Sequence, residues 1–190
     1  PTEYSSIDVS SRGFIYAVSA DSMNSMFEIK KLNPKGNNVL SVKPQSDVSP
    51  GVRLNIGNYG DIETSYEKGV LIDTKFIDVC VNSNDFIYAL DSQRGRVFKY
   101  DQESNLLAIF GGLKSQKGSF INPVAIETFG DSVLVLDSRT GQITSFIRTK
   151  FGNSITEATI LYNEGLYLEA SDLWHEVLRQ SANFELAYVG

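Results

Sequence analysis

Hydrophobic and polar positions along the chain fall into short blocks separated by turn residues. Val124-Ala125-Ile126, opened by Pro123, is followed by the polar turn Gly130-Asp131-Ser132, the run Val133 to Leu136, a second turn from Asp137 to Gly141, and the run Ile143 to Ile147. Runs this short and this rich in β-branched residues predict strands, not helices. The pattern returns. Leu90-Asp91-Ser92-Gln93-Arg94-Gly95 matches Leu136-Asp137-Ser138-Arg139-Thr140-Gly141 at a displacement of 46 positions, with Leu, Asp, Ser and Gly identical. Residues 7–18 match 79–90 at a displacement of 72, sharing Phe-Ile-Tyr-Ala.

A period near these values, with several strands in each unit, points to the blades of a β-propeller, usually about 40–45 residues each. The middle unit is the most regular, with strands predicted over 76–81, 86–91, 96–100 and 105–110. In the first unit a third strand is predicted over 27–32, closed by the turn Asn33-Pro34-Lys35-Gly36. The third unit supplies three strands, ending near Arg148, and no fourth. Between the first two units the period is stretched by 26 residues, over a segment carrying Pro44, Pro50, Gly51, Gly57, Gly60 and Gly69. This reads as an excursion between blades, either a partly disordered connector or a contact surface formed by Tyr59 and Tyr66 with Asp61, Glu63 and Glu67.

From Glu157 to Leu178 the spacing becomes helical. Ala158, Leu161 and Tyr162, then Tyr167, Ala170, Trp174, Val177 and Leu178, form apolar stripes. Ser154 and Glu157 have the spacing of a capping box, and Gly165 joins two helices into a hairpin. Phe184 to Tyr188 reads as the start of another helix. Mainly β with a C-terminal α-helical hairpin is therefore the expected fold, divided into 1–150 and 151–190. About three blades of an open arc are expected, because three cannot close a ring that usually needs four to eight.

Two resemblances refine this. Phe110-Gly111-Gly112, Gly118-Ser119-Phe120, Pro123, and a hydrophobic strand ending in Asp137 closely resemble the NHL-type propeller repeat. Leu161 to Ala170, with Trp174, Val177 and Leu178, closely resembles a tetratricopeptide repeat, although Ala182 stands where that family usually has Pro. NHL-type units running into such an array, with Lys150-Phe151-Gly152 at the junction, look like a family of bacterial membrane-associated proteins whose C-terminal region spans the membrane. That resemblance implies an extracytoplasmic scaffold, without catalytic residues, belonging to a longer protein. The start at Pro1 without Met fits the same expectation.

The formal net charge of −6 leaves no dominant basic surface, which counts against nucleic acid as a partner. Cys80, between Val79 and Val81, is the one cysteine, so it has no intramolecular disulfide partner and reads as a buried small hydrophobe. No apolar run approaches the roughly 18 residues of a membrane span. The one histidine, His175, cannot form a multi-His metal cluster and reads as a surface residue of the second helix. Asp91 and Asp137 recur at strand ends, with Asp73 and Asp78 nearby, so they are the candidates for a calcium site of the propeller-lactonase type. The favoured reading is structural, since Asp before Ser, with Gly four residues on, suits a turn whose N–H groups the carboxylate accepts.

Arg94 and Arg96 are expected to pair with Asp91, and Arg139 with Asp137, as solvated ion pairs or an anionic contact. No cofactor is expected. The function expected is protein or peptide binding by a non-enzymatic scaffold, with Tyr59, Tyr66, Arg94, Arg139, Tyr162 and Trp174 as candidate contacts and a homo-oligomer through open strand edges as a further expectation. The alternatives are a calcium-dependent lactonase or lyase and a cell-surface carbohydrate-binding module using Tyr59, Tyr66 and Tyr88.

Overall fold

Three antiparallel sheets follow one another along the chain in a computed structural model that describes residues 3–19, 29–39, 59, 65–67, 70–72, 74–113 and 118–188. The first sheet is β1 (Tyr4–Val9), β2 (Ile15–Ser19) and β3 (Ile29–Leu32) in that order. A small hairpin, β4 (Ser65–Glu67) and β5 (Val70–Ile72), comes next. The second sheet runs β6 (Phe76–Val81), β7 (Ile87–Asp91), β8 (Arg96–Tyr100), β9 (Leu106–Gly111). The third runs β10 (Pro123–Phe129), β11 (Ser132–Asp137), β12 (Gln142–Ile147), with three strands as its sequence predicts.

Each first strand is irregular at the same place. The register against the second strand shifts between Tyr4 and Ser6, between Phe76 and Asp78, and between Pro123 and Ala125. A bulge bends a strand and increases its twist, so a bulge repeated at one register position gives the three sheets a common shape. The turn after β10 is one residue shorter than that after β6, since Thr128 faces Val133 whereas Val81 faces Ile87. At the equivalent point of the first two turns Gly13 and Asp85 both take a left-handed conformation, with φ of +80° and +61°.

Alternation along each strand gives every sheet two faces. Tyr16, Val18 and Ile29 from the first sheet meet Phe76, Val79, Ile87, Ala89, Phe98 and Tyr100 from the facing side of the second. The rings of Phe76 and Phe98 cross edge to face at 5.4 Å, and those of Phe98 and Tyr100 stack at 6.2 Å. Burying side chains of this size stabilises by about 1.5–3 kcal/mol each. The first strands β1, β6 and β10 lie beside one another, with β6 in the middle, and the later strands fan away from them. Sheets stacked in succession around adjacent first strands are propeller blades, and the fold is mainly β with a C-terminal helical hairpin.

The excursion between the first two blades departs from the expectation of a structureless loop. It contains the β4–β5 hairpin, and Tyr59 belongs to the core cluster beside Tyr16 and Tyr100. Most of the rest of that segment, with Asp61, Glu63 and Asp73, lies outside the described residues.

Residues Phe146–Gly190 form a second compact unit. Helix α1 (Lys150–Asn163) begins a full turn before the expected capping box, because Thr149 caps it by accepting the Gly152 N–H at 3.2 Å. Ser154 lies inside the helix and donates to the Lys150 carbonyl instead. Gly165, at φ +81°, ends the helix: its N–H bonds to the Tyr162 carbonyl while that of Leu166 reaches the Leu161 carbonyl. This paired closure favours glycine, which has no Cβ to clash in the left-handed region. Helix α2 (Tyr167–Gln180) packs back on α1 through Ala170, Trp174 and Val177. Residues Glu185–Tyr188, expected to start another helix, form a 3-10 turn. Phe184, just before it, stacks on Trp174 at 6.1 Å.

Candidate functional site

The strand-end aspartates show what their recurrence is for. Asp91 Oδ1 accepts the N–H groups of Lys75 (3.0 Å) and Gln93 (2.9 Å), and its Oδ2 accepts Arg96 Nη2 at 3.3 Å. Asp137 Oδ2 accepts from Ile121 (2.6 Å) and Asn122 (3.3 Å), and its Oδ1 from Arg139 (2.8 Å) and Thr140 (3.1 Å). Each carboxylate thus ties the segment entering its blade to the turn leaving the second strand. Burial raises the Asp91 pKa, and the Lys75 and Gln93 N–H groups and Arg96 offset this only in part. At Asp137 burial also works upward, but its four N–H donors outweigh it and the pKa is lowered. Oxygens so occupied do turn work, and among the described residues no group of three His, Cys, Asp or Glu side chains is placed to hold a metal ion.

Several expected contacts sit elsewhere. The Asp91–Arg96 pair is not solvated, since the Asp91 side chain is fully buried beneath the turn. Arg139 meets Asp137 through its backbone N–H, and its guanidinium is exposed without an ion pair to that carboxylate. Arg94 is half-buried, and its carbonyl accepts from Leu113 at 2.9 Å. Tyr59 is not a surface contact: it is buried, edge to face with Tyr100 at 4.8 Å, and its hydroxyl shares a 2.9 Å hydrogen bond with Ser104. Burial pushes its pKa up to about 12, with the Ser104 bond acting the other way and the Asp101 charge adding to the rise. Tyr88 is buried as well, so it cannot stack on a sugar in this arrangement. Tyr66 faces Leu71 across the β4–β5 hairpin, and its side chain lies outside the described residues.

In the helical unit Trp174 is buried between the helices, where stacking against Phe184 uses its ring internally; it is not an exposed contact. Tyr162 is part of the surface. It crosses Tyr167 edge to face at 5.2 Å, and Leu166 and Leu168 continue the exposed apolar group around the hairpin bend, Leu168 at 84% exposure. His175 is exposed, and its Nδ1 donates to the Ser171 carbonyl at 2.8 Å.

A set of carboxylates between the sheets is not singled out by the repeat. Asp8 on β1 accepts its own strand's Val9 N–H at 2.7 Å and the Val81 N–H of the next sheet at 2.6 Å. Asp78 on β6 accepts Val79 at 3.0 Å and Ile126 of the third sheet at 2.7 Å, and also receives the Ser6 hydroxyl. Asp85 reaches the other way, accepting the Ser11 N–H at 2.8 Å and hydroxyl at 2.9 Å, with Arg12 at 3.4 Å. Cys80 lies among these groups, and burial, then the charges of Glu127, Asp78 and Asp8, raise its thiol pKa. The signal was available as an acid within each first strand: Asp8, Asp78 and Glu127.

These features define a propeller-like repeat protein whose blades are joined by carboxylates. No protein-family model matches the chain, and no curated protein matches it. Among solved structures it is similar to virginiamycin B lyase from Staphylococcus aureus, at 9% identity over 75% of this chain and 40% of that one, with a TM-score of 0.36. A catalytically inactive variant of that lyase with quinupristin matches at 10% identity over 74% of this chain and 40% of that one, TM-score 0.38. A protein of unknown function from Bacteroides caccae matches at 11% identity over 77% of this chain and 61% of that one, TM-score 0.27. The chain spans about two-fifths of the length of the lyase structures. No residue and no activity is carried across from any of them.

Proposed function

We propose that this chain is a non-enzymatic scaffold for protein–protein interaction, with NHL-type blades and one tetratricopeptide-like helical pair, belonging to the extracytoplasmic part of a larger bacterial membrane-associated protein. The observation that carries the reading is the exposed apolar group at the helical bend, Tyr162, Leu166, Tyr167 and Leu168. Apolar side chains gathered at one place on a surface mark a contact with another protein, whereas scattered ones do not. Among the described residues no helix is long and apolar enough to cross a membrane, so the membrane association proposed would reside outside them.

The partner is a protein or peptide with a complementary apolar face. Immobilised chain should capture it from extracytoplasmic extract, and the Tyr167→Ser/Leu168→Ser variant, with unchanged circular dichroism, should not. Capture of nothing above background, or equal capture by the variant, would count against the reading.

A further inference from the structure

The apolar group at the helical bend is bordered by charge of one sign. Across residues 151–178, which take in nearly all of α1 and α2, the chain has five acids, Glu157, Glu164, Glu169, Asp172 and Glu176, and no Lys or Arg. All five are exposed, as are Tyr162, Leu166, Tyr167 and Leu168. None of the five carboxylates has an ion pair or a hydrogen bond among the described residues. Glu164 and Glu169 flank the bend itself, one on either side of Gly165 to Leu168.

On α2 the spacing carries the charge away from the bend in a line. Leu168, Asp172 and Glu176 recur every four residues and Glu169 precedes Asp172 by three, so they share one face. That face begins apolar and continues acidic. Glu169 lies in the first turn, where the helix dipole favours an acid. Asp172 and Glu176 lie beyond it, and like charges four apart on a helix repel. Arg179, in the last turn, makes no ion pair with Glu176 among the described residues. An incoming cation would therefore relieve a repulsion that the helix does not relieve for itself.

We propose that the segment docking at the bend is a cationic amphipathic one. Its apolar side chains seat on Tyr162, Leu166, Tyr167 and Leu168, and its Lys or Arg side chains reach Glu164, Glu169, Asp172 and Glu176. The proposal rests on the partner-binding reading of the bend and adds the charge of the partner. An acidic segment, a nucleic acid or an anionic lipid surface would meet repulsion at the same place. Charges at the rim of a contact steer association and make it sensitive to salt more than they add affinity.

The probe is a dye-labelled peptide of about 18 residues with Leu at i, i+3, i+4 spacing and Lys elsewhere. Fluorescence anisotropy should show it binding the 190-residue chain, and the same peptide with Glu for Lys binding at least about tenfold more weakly. Raising the salt to about 0.5 M should narrow that difference. Asp172→Asn/Glu176→Gln removes like charges from one helix face, so it does not endanger folding, and should weaken the Lys peptide by about fivefold. Glu3→Gln/Glu103→Gln, the same charge change made in the sheet unit, should alter it by less than about twofold. Equal binding of the two peptides, lost in Tyr167→Ser/Leu168→Ser, would overturn the cationic partner and leave the apolar docking site standing. Binding of the Lys peptide that Tyr167→Ser/Leu168→Ser does not weaken would overturn both. Equal loss in the two charge variants, no binding of the Lys peptide, or co-sedimentation of the chain with phosphatidylglycerol vesicles would each overturn the proposal.

Discussion

Asp78 on β6 accepts the backbone N–H of Ile126 on β10 at 2.7 Å, across the gap between two sheets. A first strand is an edge strand of its own sheet, so every second N–H on it points away from the ladder and needs another acceptor. A charged acceptor is worth about 1.5–3 kcal/mol in such a place. Asp8 does the same for Val81 at 2.6 Å, so one device serves both junctions. Side-chain packing supplies most of the contact between blades, and these bonds fix its register.

The two strand-end aspartates should titrate with opposite consequences. The Asp91 pKa is raised in the fold, chiefly by burial, so ionisation there weakens the folded state. As pH falls from neutral through that raised value, the melting temperature of the wild type should gain on that of Asp91→Asn. The Asp137 pKa is lowered below 3.8 by backbone donors that outweigh burial. Its stabilising effect should be undiminished above 3.8, and lost as pH falls below that through the lowered value. Thermal melts of wild type, Asp91→Asn and Asp137→Asn across pH 3–7 check both signs.

Tyr59→Phe should destabilise by about 1–3 kcal/mol, since it leaves the buried Ser104 hydroxyl without its partner. Adding Ser104→Ala should recover part of that loss, because an apolar pair leaves no orphan. Urea unfolding of the single and double variants measures the coupling. A Tyr59→Phe variant as stable as the wild type would return Tyr59 to the surface.

Gly95 and Gly141 end the matching turns of the second and third blades, at φ +61° and +67°. A Cβ on Gly95 would stand 2.7 Å from Leu113 Cδ2 and 3.1 Å from the Gly112 carbonyl carbon, whereas one on Gly141 would meet nothing within 4 Å. Gly141→Ala should therefore cost only left-handed strain, about 1–2 kcal/mol. Gly95→Ala should cost more, because backbone as well as a flexible side chain must shift. Denaturant midpoints of the two variants rank them directly.

The repeat was legible because the second and third blades share their turn chemistry, Asp91 and Asp137 doing the same work, while alternation in β11 and the continuous apolar run of β7 report the buried faces. Gly165 and Ala170 marked the hairpin for the same local reason. Tyr59 was not legible, since a single aromatic in a Pro- and Gly-rich segment carries no period and its burial depends on Ser104 and Tyr100, more than 40 residues on. The carboxylates between sheets were hidden differently. Asp8 aligns with Cys80 and Asp78 with Ser6, so the acids share a role without sharing a register position. The start of α1 escaped because Gly152 weakens the helical pattern just where the Thr149 cap secures it.

Residue-resolved amide hydrogen exchange tests the joining of the blades most directly. In the wild type the Val81 and Ile126 amides should be protected despite lying on the outer edges of β6 and β10, and Asp78→Ala should release Ile126 while leaving Val81 protected. Rapid exchange of both amides in the wild type, or unchanged protection of Ile126 in Asp78→Ala, would contradict the carboxylate link between successive sheets.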